Sequence, residues 1–209
     1  MTSTKQLVVV SAGLSQPSST RLLADRLASA TQRALAADGV DLQVDVIELR
    51  DLAHQLTDHL LTGFPAAGLR TALELVSRAD GVIAVTPIFS ASYSGLFKSF
   101  FDVLEPGVMD GTPVLMAATG GTERHSLALE FALRPLFAHL RAAPVPTAVY
   151  AATHDWGAAG DGQLTTRIER AAAELAGSIA RHAPATTDDP YDIPVPFEQL
   201  LFDGQRQSA

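Results

Sequence analysis

The sequence predicts a three-layer α/β domain built on a parallel sheet. Short runs rich in β-branched residues alternate along the chain with longer segments of helical apolar spacing. The inner runs, Val8-Val9-Val10 and Val82-Ile83-Ala84-Val85, are apolar without alternation, as strands covered by helices on both faces require. Asp38-Gly39, Asp80-Gly81 and Asp110-Gly111 punctuate the junctions between segments.

The predicted strands are residues 6–11, 42–49, 81–86, 113–118 and 145–150, and the second alternates as an edge strand does. The predicted helices are residues 20–37, 66–78, 94–104, 123–141 and 162–182. In the first of them Leu22, Leu23, Leu27, Ala30, Ala34 and Leu35 recur at threes and fours, one buried face. Residues 1–183 form this domain. Pro184, Pro190, Pro194 and Pro196 forbid a helix, so residues 184–209 read as an extended tail. The tail's Tyr191, Ile193, Phe197, Leu200, Leu201 and Phe202 call for a surface to pack on.

The chain has 209 residues, 47% of them hydrophobic, enough for a full core. Fifteen basic against 23 acidic residues give a net charge of −8, which argues against nucleic acid or an anionic membrane as partner. With no Cys, thiol catalysis, disulfides and Cys-ligated metals are excluded. The apolar runs are too short to span a bilayer, and Met1-Thr-Ser-Thr-Lys-Gln leads straight into the first strand without a signal-peptide core. A cytoplasmic location is expected.

Ligands of open α/β sheets sit beyond the carboxyl ends of the strands, so the loops after the first, third and fourth strands carry the functional reading. The first is Ser11-Ala-Gly-Leu-Ser-Gln-Pro-Ser-Ser-Thr20, leading directly into a helix. Ser18, Ser19 and Thr20, with free N–H groups and the positive helix end, suit a phosphate; the same residues are also ordinary helix caps. Neither a Walker loop nor G-x-G-x-x-G is present. The third strand leads into Thr86-Pro-Ile-Phe-Ser90-Ala-Ser-Tyr-Ser-Gly95, where Pro87 is expected to end the strand; the backbone that follows suits a flat heteroaromatic ring, but taken alone it reads as an ordinary loop of small residues. After the fourth strand, Ala118-Thr-Gly-Gly121 lets backbone approach a ligand closely, or simply turns into a helix.

Taken together these loops resemble the NAD(P)H-dependent FMN reductases of the flavodoxin-like superfamily, and within them the flavin reductases of two-component sulfonate monooxygenase systems. The resemblance covers roughly residues 6–155. Thr86-Pro-Ile-Phe-Ser-Ala-Ser-Tyr-Ser-Gly-Leu-Phe-Lys is similar to the family's T-P-x-Y-x-x-S-x-x-G-x-L-K loop. Ala118-Thr-Gly-Gly and Ala128-Leu-Glu-Phe-Ala-Leu-Arg-Pro-Leu-Phe137 resemble its T-G-G and following helix. The resemblance implies a flavodoxin-like five-stranded sheet in order 2-1-3-4-5, with FMN and NAD(P)H as cofactors. It implies that Ser11, Ser18, Ser19 and Thr20 hold the FMN phosphate, that Pro87, Ile88, Phe89 and Ser90 line the isoalloxazine, and that Thr119, Gly120 and Gly121 cover its pyrimidine side. It further implies a homodimer or homotetramer with contacts at the Phe131 helix, and a flavin-dependent monooxygenase as partner. Hydride transfer to flavin needs no protein acid or base, so no catalytic side chain is expected. The chain departs from the family at Leu14, where relatives carry Arg, leaving Arg21 as the helper, and at Phe89, where Tyr is common.

Other readings carry less. Ser92, Ser94 and Ser126 lack the G-x-S-x-G frame of a hydrolase. Asp51, His54 and Asp58 have helical spacing, but Leu52, Leu56 and Leu60 interleave them, and a solvated helix or loop is favoured over a metal site. His125 reads equally as a nicotinamide-pocket group or an exposed first-turn residue, and Trp156 of His154-Asp155-Trp156 as local packing or a flavin-edge contact. Tyr93 and Lys98 read as packing or surface groups. Functional rivals on the same fold are an FMN-bound quinone or azo reductase, a flavodoxin-type electron carrier and a non-catalytic binding module.

Overall fold

The structure is a computed structural model and describes residues 4–157 and 161–182; the Pro-rich segment 184–209 lies outside the described residues. Strands β1 (Lys5–Ser11), β2 (Leu42–Glu48), β3 (Gly81–Phe89) and β5 (Pro113–Gly120) run parallel in the order β2-β1-β3-β5. Two short strands, β6 (Ala143–Pro144) and β7 (Val149–Ala152), share the far edge of β5. Counted as one interrupted fifth strand, they complete the expected order. A further two-residue strand, β4 (Ser92–Tyr93), folds back on β3.

The layers follow from side-chain alternation along the strands. Val8, Val10, Val82, Ala84, Val114 and Met116 share one buried cluster with Leu56 of α2 (Ala53–Thr62), Leu69 of α3 (Ala67–Ser77), Phe97, Phe100 and Phe101 of α4 (Gly95–Asp102) and Phe137 of α5 (Arg134–His139). The aromatic rings interlock, with centroids 4.8 Å apart for Phe97–Phe101 and 5.0 Å for Phe101–Phe137. Leu7, Val9, Ile83, Val85 and Leu115 face the other way, onto Leu23, Leu27 and Leu35 of α1 (Ser19–Ala37) and Leu164, Leu175 and Ile179 of α6 (Asp161–Arg181). Both faces are covered, which is why the inner strands carry no polar alternation.

Several sequence expectations require correction. Pro87 does not end its strand, because β3 continues to Phe89 and Pro87 pairs in register with Thr119. Val85 turns its carbonyl toward β1, accepting from Ala12 N–H at 2.9 Å. By alternation Pro87 turns the same way, past the point where β1 has ended, so its missing N–H costs no ladder bond. The fifth strand is not continuous over 145–150: Pro146 has no N–H, and Glu174 of α6 takes the N–H and hydroxyl of Thr147, each at 2.7 Å. The single helix expected over 123–141 is broken into a tight turn (Glu123–His125), a wide five-residue turn (Leu129–Leu133) and α5. Pro135 cannot donate to the carbonyl four residues back, and Arg134 N–H instead reaches Leu129 O. By contrast, the segment carrying Asp51, His54 and Asp58 is the solvated helical segment expected: a tight turn (Leu49–Leu52) followed by α2, with all three residues exposed.

Candidate functional site

The loops beyond β1, β3, β5 and β7 border one cleft of 550 Å³. Eight of the eleven sequence-predicted residues line it: Ser19 and Thr20 at the start of α1, Pro87, Ile88 and Phe89 at the end of β3, and Thr119, Gly120 and Gly121 at the end of β5. Ser11, Ser18 and Ser90 do not. Ser11 is fully buried at the end of β1, and its hydroxyl has no hydrogen-bond partner. Ser18 caps α1, its Oγ accepting from Arg21 N–H at 3.2 Å. Ser90 forms the tip of the β3–β4 hairpin.

The three hydroxyls at the α1 start are therefore not equivalent. Thr20 is buried and its Oγ1 lies 2.8 Å from Thr119 Oγ1, joining the first loop to the third. Ser19 is exposed at the cleft. Gly13 is required by close approach, since a methyl group there would sit 2.1 Å from Ser18 Oγ. The same holds at Gly120, where a methyl group would lie 2.0 Å from the Tyr150 hydroxyl, which itself donates to Thr122 O at 2.9 Å.

In the second loop, Ser90 and Ala91 have φ of 47° and 66°, joining Phe89 to its antiparallel partner Ser92 in a two-residue turn. Thr86 anchors the hairpin base: its buried Oγ1 donates to Pro87 O at 2.9 Å and accepts from Ser94 N–H at 3.1 Å. Ser94 in turn caps α4 through Phe97 N–H, at 3.1 Å. Phe89 is left 47% exposed at the cleft.

Leu14, Ser15, Thr153 and Trp156 also line the cleft. Leu14, Ser15 and Thr153 were not picked from the sequence, although Thr153 stands directly after the fifth strand, where the strand-end rule points. Trp156 packs locally on the α1–α6 core, with the Arg26 guanidinium 6.0 Å from its ring centroid, and also borders the cleft. Asp155 pins this turn, accepting from Ala152 N–H and from Arg167, each at 2.8 Å. Burial alone would push the Asp155 carboxyl up; the Ala152 N–H and the Arg167 guanidinium outweigh it and hold the group below the ordinary carboxylate range. Burial raises the Tyr150 phenol, with Glu123 adding to the effect.

Behind the first loop stands a charged cluster. Arg21 bonds Asp25 at 2.8 Å and Glu48. Arg50 donates to Ser15 O at 3.3 Å and pairs with Glu48 and Asp51, each at 3.4 Å. Arg21 is thus tied to two carboxylates rather than free to serve a ligand. His125 is exposed, and His154 sits 3.6 Å from Glu123; neither lines the cleft. A larger groove of 810 Å³ runs along the α4–α5 face between Tyr93 and Arg141, with Phe131 78% exposed beside it. The smaller cleft is the better ligand site, because it alone of the two gathers the strand-end loops and the start of α1. Its arrangement suits an elongated ligand, anionic toward α1 and planar between the hairpin and the β5 loop.

The sequence model of the family described as NADPH-dependent FMN reductase matches residues 6–157. An FMN reductase (NADPH) from Pseudomonas aeruginosa is 40% identical over 158 residues, which is 75% of this chain and 81% of that protein. The NADH-dependent FMN reductase SfnF from Pseudomonas putida is 37% identical over 150 residues, 72% of this chain and 78% of that one. Among solved structures, an oxidoreductase from Corynebacterium diphtheriae superposes with a TM-score of 0.84 at 44% identity, covering 86% of this chain and 99% of that chain. A flavodoxin, WrbA-like protein from Agrobacterium tumefaciens, 17% identical over 87% of this chain and all of its own, has a TM-score of 0.60 and shares the fold. With the match running from β1 through the Trp156 turn, the chain belongs to the NADPH-dependent FMN reductase family.

Proposed function

We propose that the protein is an NAD(P)H:FMN oxidoreductase that takes FMN into the 550 Å³ cleft and passes the reduced flavin on to a separate acceptor, a flavin-dependent monooxygenase. The observation that carries this reading is the convergence of the three loops on one cleft. The residues present fit FMN. The Ser19 hydroxyl and the start of α1 suit a phosphate, and the buried, unpaired Ser11 hydroxyl has bonding capacity to offer beneath that loop. Pro87, Ile88 and Phe89 offer an apolar wall for a ring, and Gly121 leaves open space beside it.

Bound there, FMN supplies a two-electron acceptor for the nicotinamide hydride. The chain's own part is positioning. Among the described residues no Asp, Glu, His, Lys or Arg lines the cleft, so it offers hydrogen bonds and an apolar wall rather than a proton donor. The Thr20–Thr119 bond fixes the spacing between the phosphate end and the ring end. Flavin fluorescence titration tests the reading: one FMN bound per chain with a dissociation constant in the micromolar range, near −8 kcal/mol. A chain that quenches no added flavin overturns it.

A further inference from the structure

Resting on that reading, we propose that Glu48 is an affinity-setting residue: by holding Arg21 and Arg50 in ion pairs behind the phosphate loop, it withholds their charge from the FMN phosphate and keeps the cofactor releasable. β2 ends at Glu48, which pairs in register with Ser11 at the end of β1, so its carboxylate emerges beside the loop that follows. Glu48 Oε1 accepts from Arg21 Nη1, and its Oε2 lies 3.4 Å from Arg50 Nη2. Both arginines belong to the loop's immediate surroundings. Arg21 sits in the first turn of α1 and its backbone N–H bonds the Ser18 cap. Arg50 Nη1 reaches the carbonyl of Ser15, itself a cleft residue, at 3.3 Å.

A guanidinium this close to a phosphate site is ordinarily the strongest holder of the phosphate, by a charge-assisted and often two-pronged bond. Here two guanidiniums are met by three carboxylates, Asp25, Glu48 and Asp51, so the cluster behind the loop carries net charge −1. Glu48 is the one carboxylate shared by both arginines. It is also the least exposed of the three, at 20% against 49% for Asp25 and 69% for Asp51, and therefore the least screened. The phosphate loop keeps its shape through Arg50 while its field is cancelled. A flavin held by hydroxyls and a helix end alone dissociates readily, as a flavin passed to another protein must.

The test compares FMN with riboflavin, which lacks only the phosphate, by fluorescence titration of the wild-type chain and of Glu48→Gln at low and high ionic strength. Glu48→Gln should bind FMN about two- to fivefold more tightly at low salt, the scale of one partly exposed charge interaction, and riboflavin no more tightly than wild type. High salt should erase the gain, and adding Arg21→Gln to Glu48→Gln should cancel it. An unchanged or lowered preference for FMN over riboflavin overturns the proposal. Should Glu48→Gln fail to fold, Asp25→Asn decides: releasing Arg21 from its other carboxylate should also tighten FMN but not riboflavin at low salt, and an unchanged or lowered preference for FMN overturns the proposal. A wild-type chain that binds neither flavin overturns the FMN reading itself, a result distinct from flavin binding without the charge effect.

Discussion

Ser18, Ser19 and Thr20 are adjacent in sequence but do different work, and the difference was not legible in the run of hydroxyls. It depends on where α1 starts, which makes Ser18 the cap, and on how near β5 comes, which pairs Thr20 with Thr119. Ser18→Ala should cost about 1 kcal/mol of stability, read by denaturant unfolding. Ser19→Ala should leave stability intact and weaken FMN binding by about 0.5–1.5 kcal/mol in a flavin titration. Asp155 gives a pH dependence whose sign follows from its lowered folded-state pKa. Its ion pair with Arg167 contributes stability fully above the ordinary carboxylate range; that contribution fades as pH falls below the ordinary value and is gone below the lowered folded one. In the folded chain, emission from Trp156, the single Trp, should hold steady down through the ordinary aspartate range and change only at more acid pH. Asp155→Asn should instead shift that emission already at neutral pH.

At the scale of elements, strand and helix periodicity showed through at β1, β5, α1 and α6, which lie close to their predicted spans. It failed where a backbone group found a partner outside its own element. Pro87 reads as a stop, yet the neighbouring strand has already left on the side where its N–H would point. The helix expected over 123–141 runs through Pro135, yet that residue's missing N–H accompanies a wide turn that leaves Phe131 exposed. The β3–β4 hairpin was invisible because its turn residues, Ser90 and Ala91, are not the Asn-Gly pair that two positive φ values favour. Holding two non-glycine residues there costs about 1–3 kcal/mol each. Ser90→Asn with Ala91→Gly should relieve the strain and raise the thermal midpoint, measured by circular dichroism. A lowered midpoint would mean that Thr86 and Ser94, rather than the turn, set the hairpin's stability.

Over the whole molecule, the strand-end rule was the most informative single guide, because it located the cleft before any side-chain geometry was known. Of the predicted site, the residues on the first helical turn, the end of β3 and the end of β5 line that cleft. Association was inferred from resemblance, and we propose it still: Phe131 (78% exposed) and Leu127 (62%) lie along the wide turn, a cluster a second copy would cover. Sedimentation at micromolar concentration should show a species larger than the 22.0 kDa chain, and a monomer would refute association. The central claim, that FMN is taken up, reduced and released, is met most directly by aerobic NAD(P)H oxidation followed with and without added FMN. Turnover that rises saturably with added FMN, half-maximal in the micromolar range, is the result predicted. A stoichiometrically yellow protein whose turnover ignores added FMN, or an FMN-loaded one that oxidises neither nicotinamide, would contradict it.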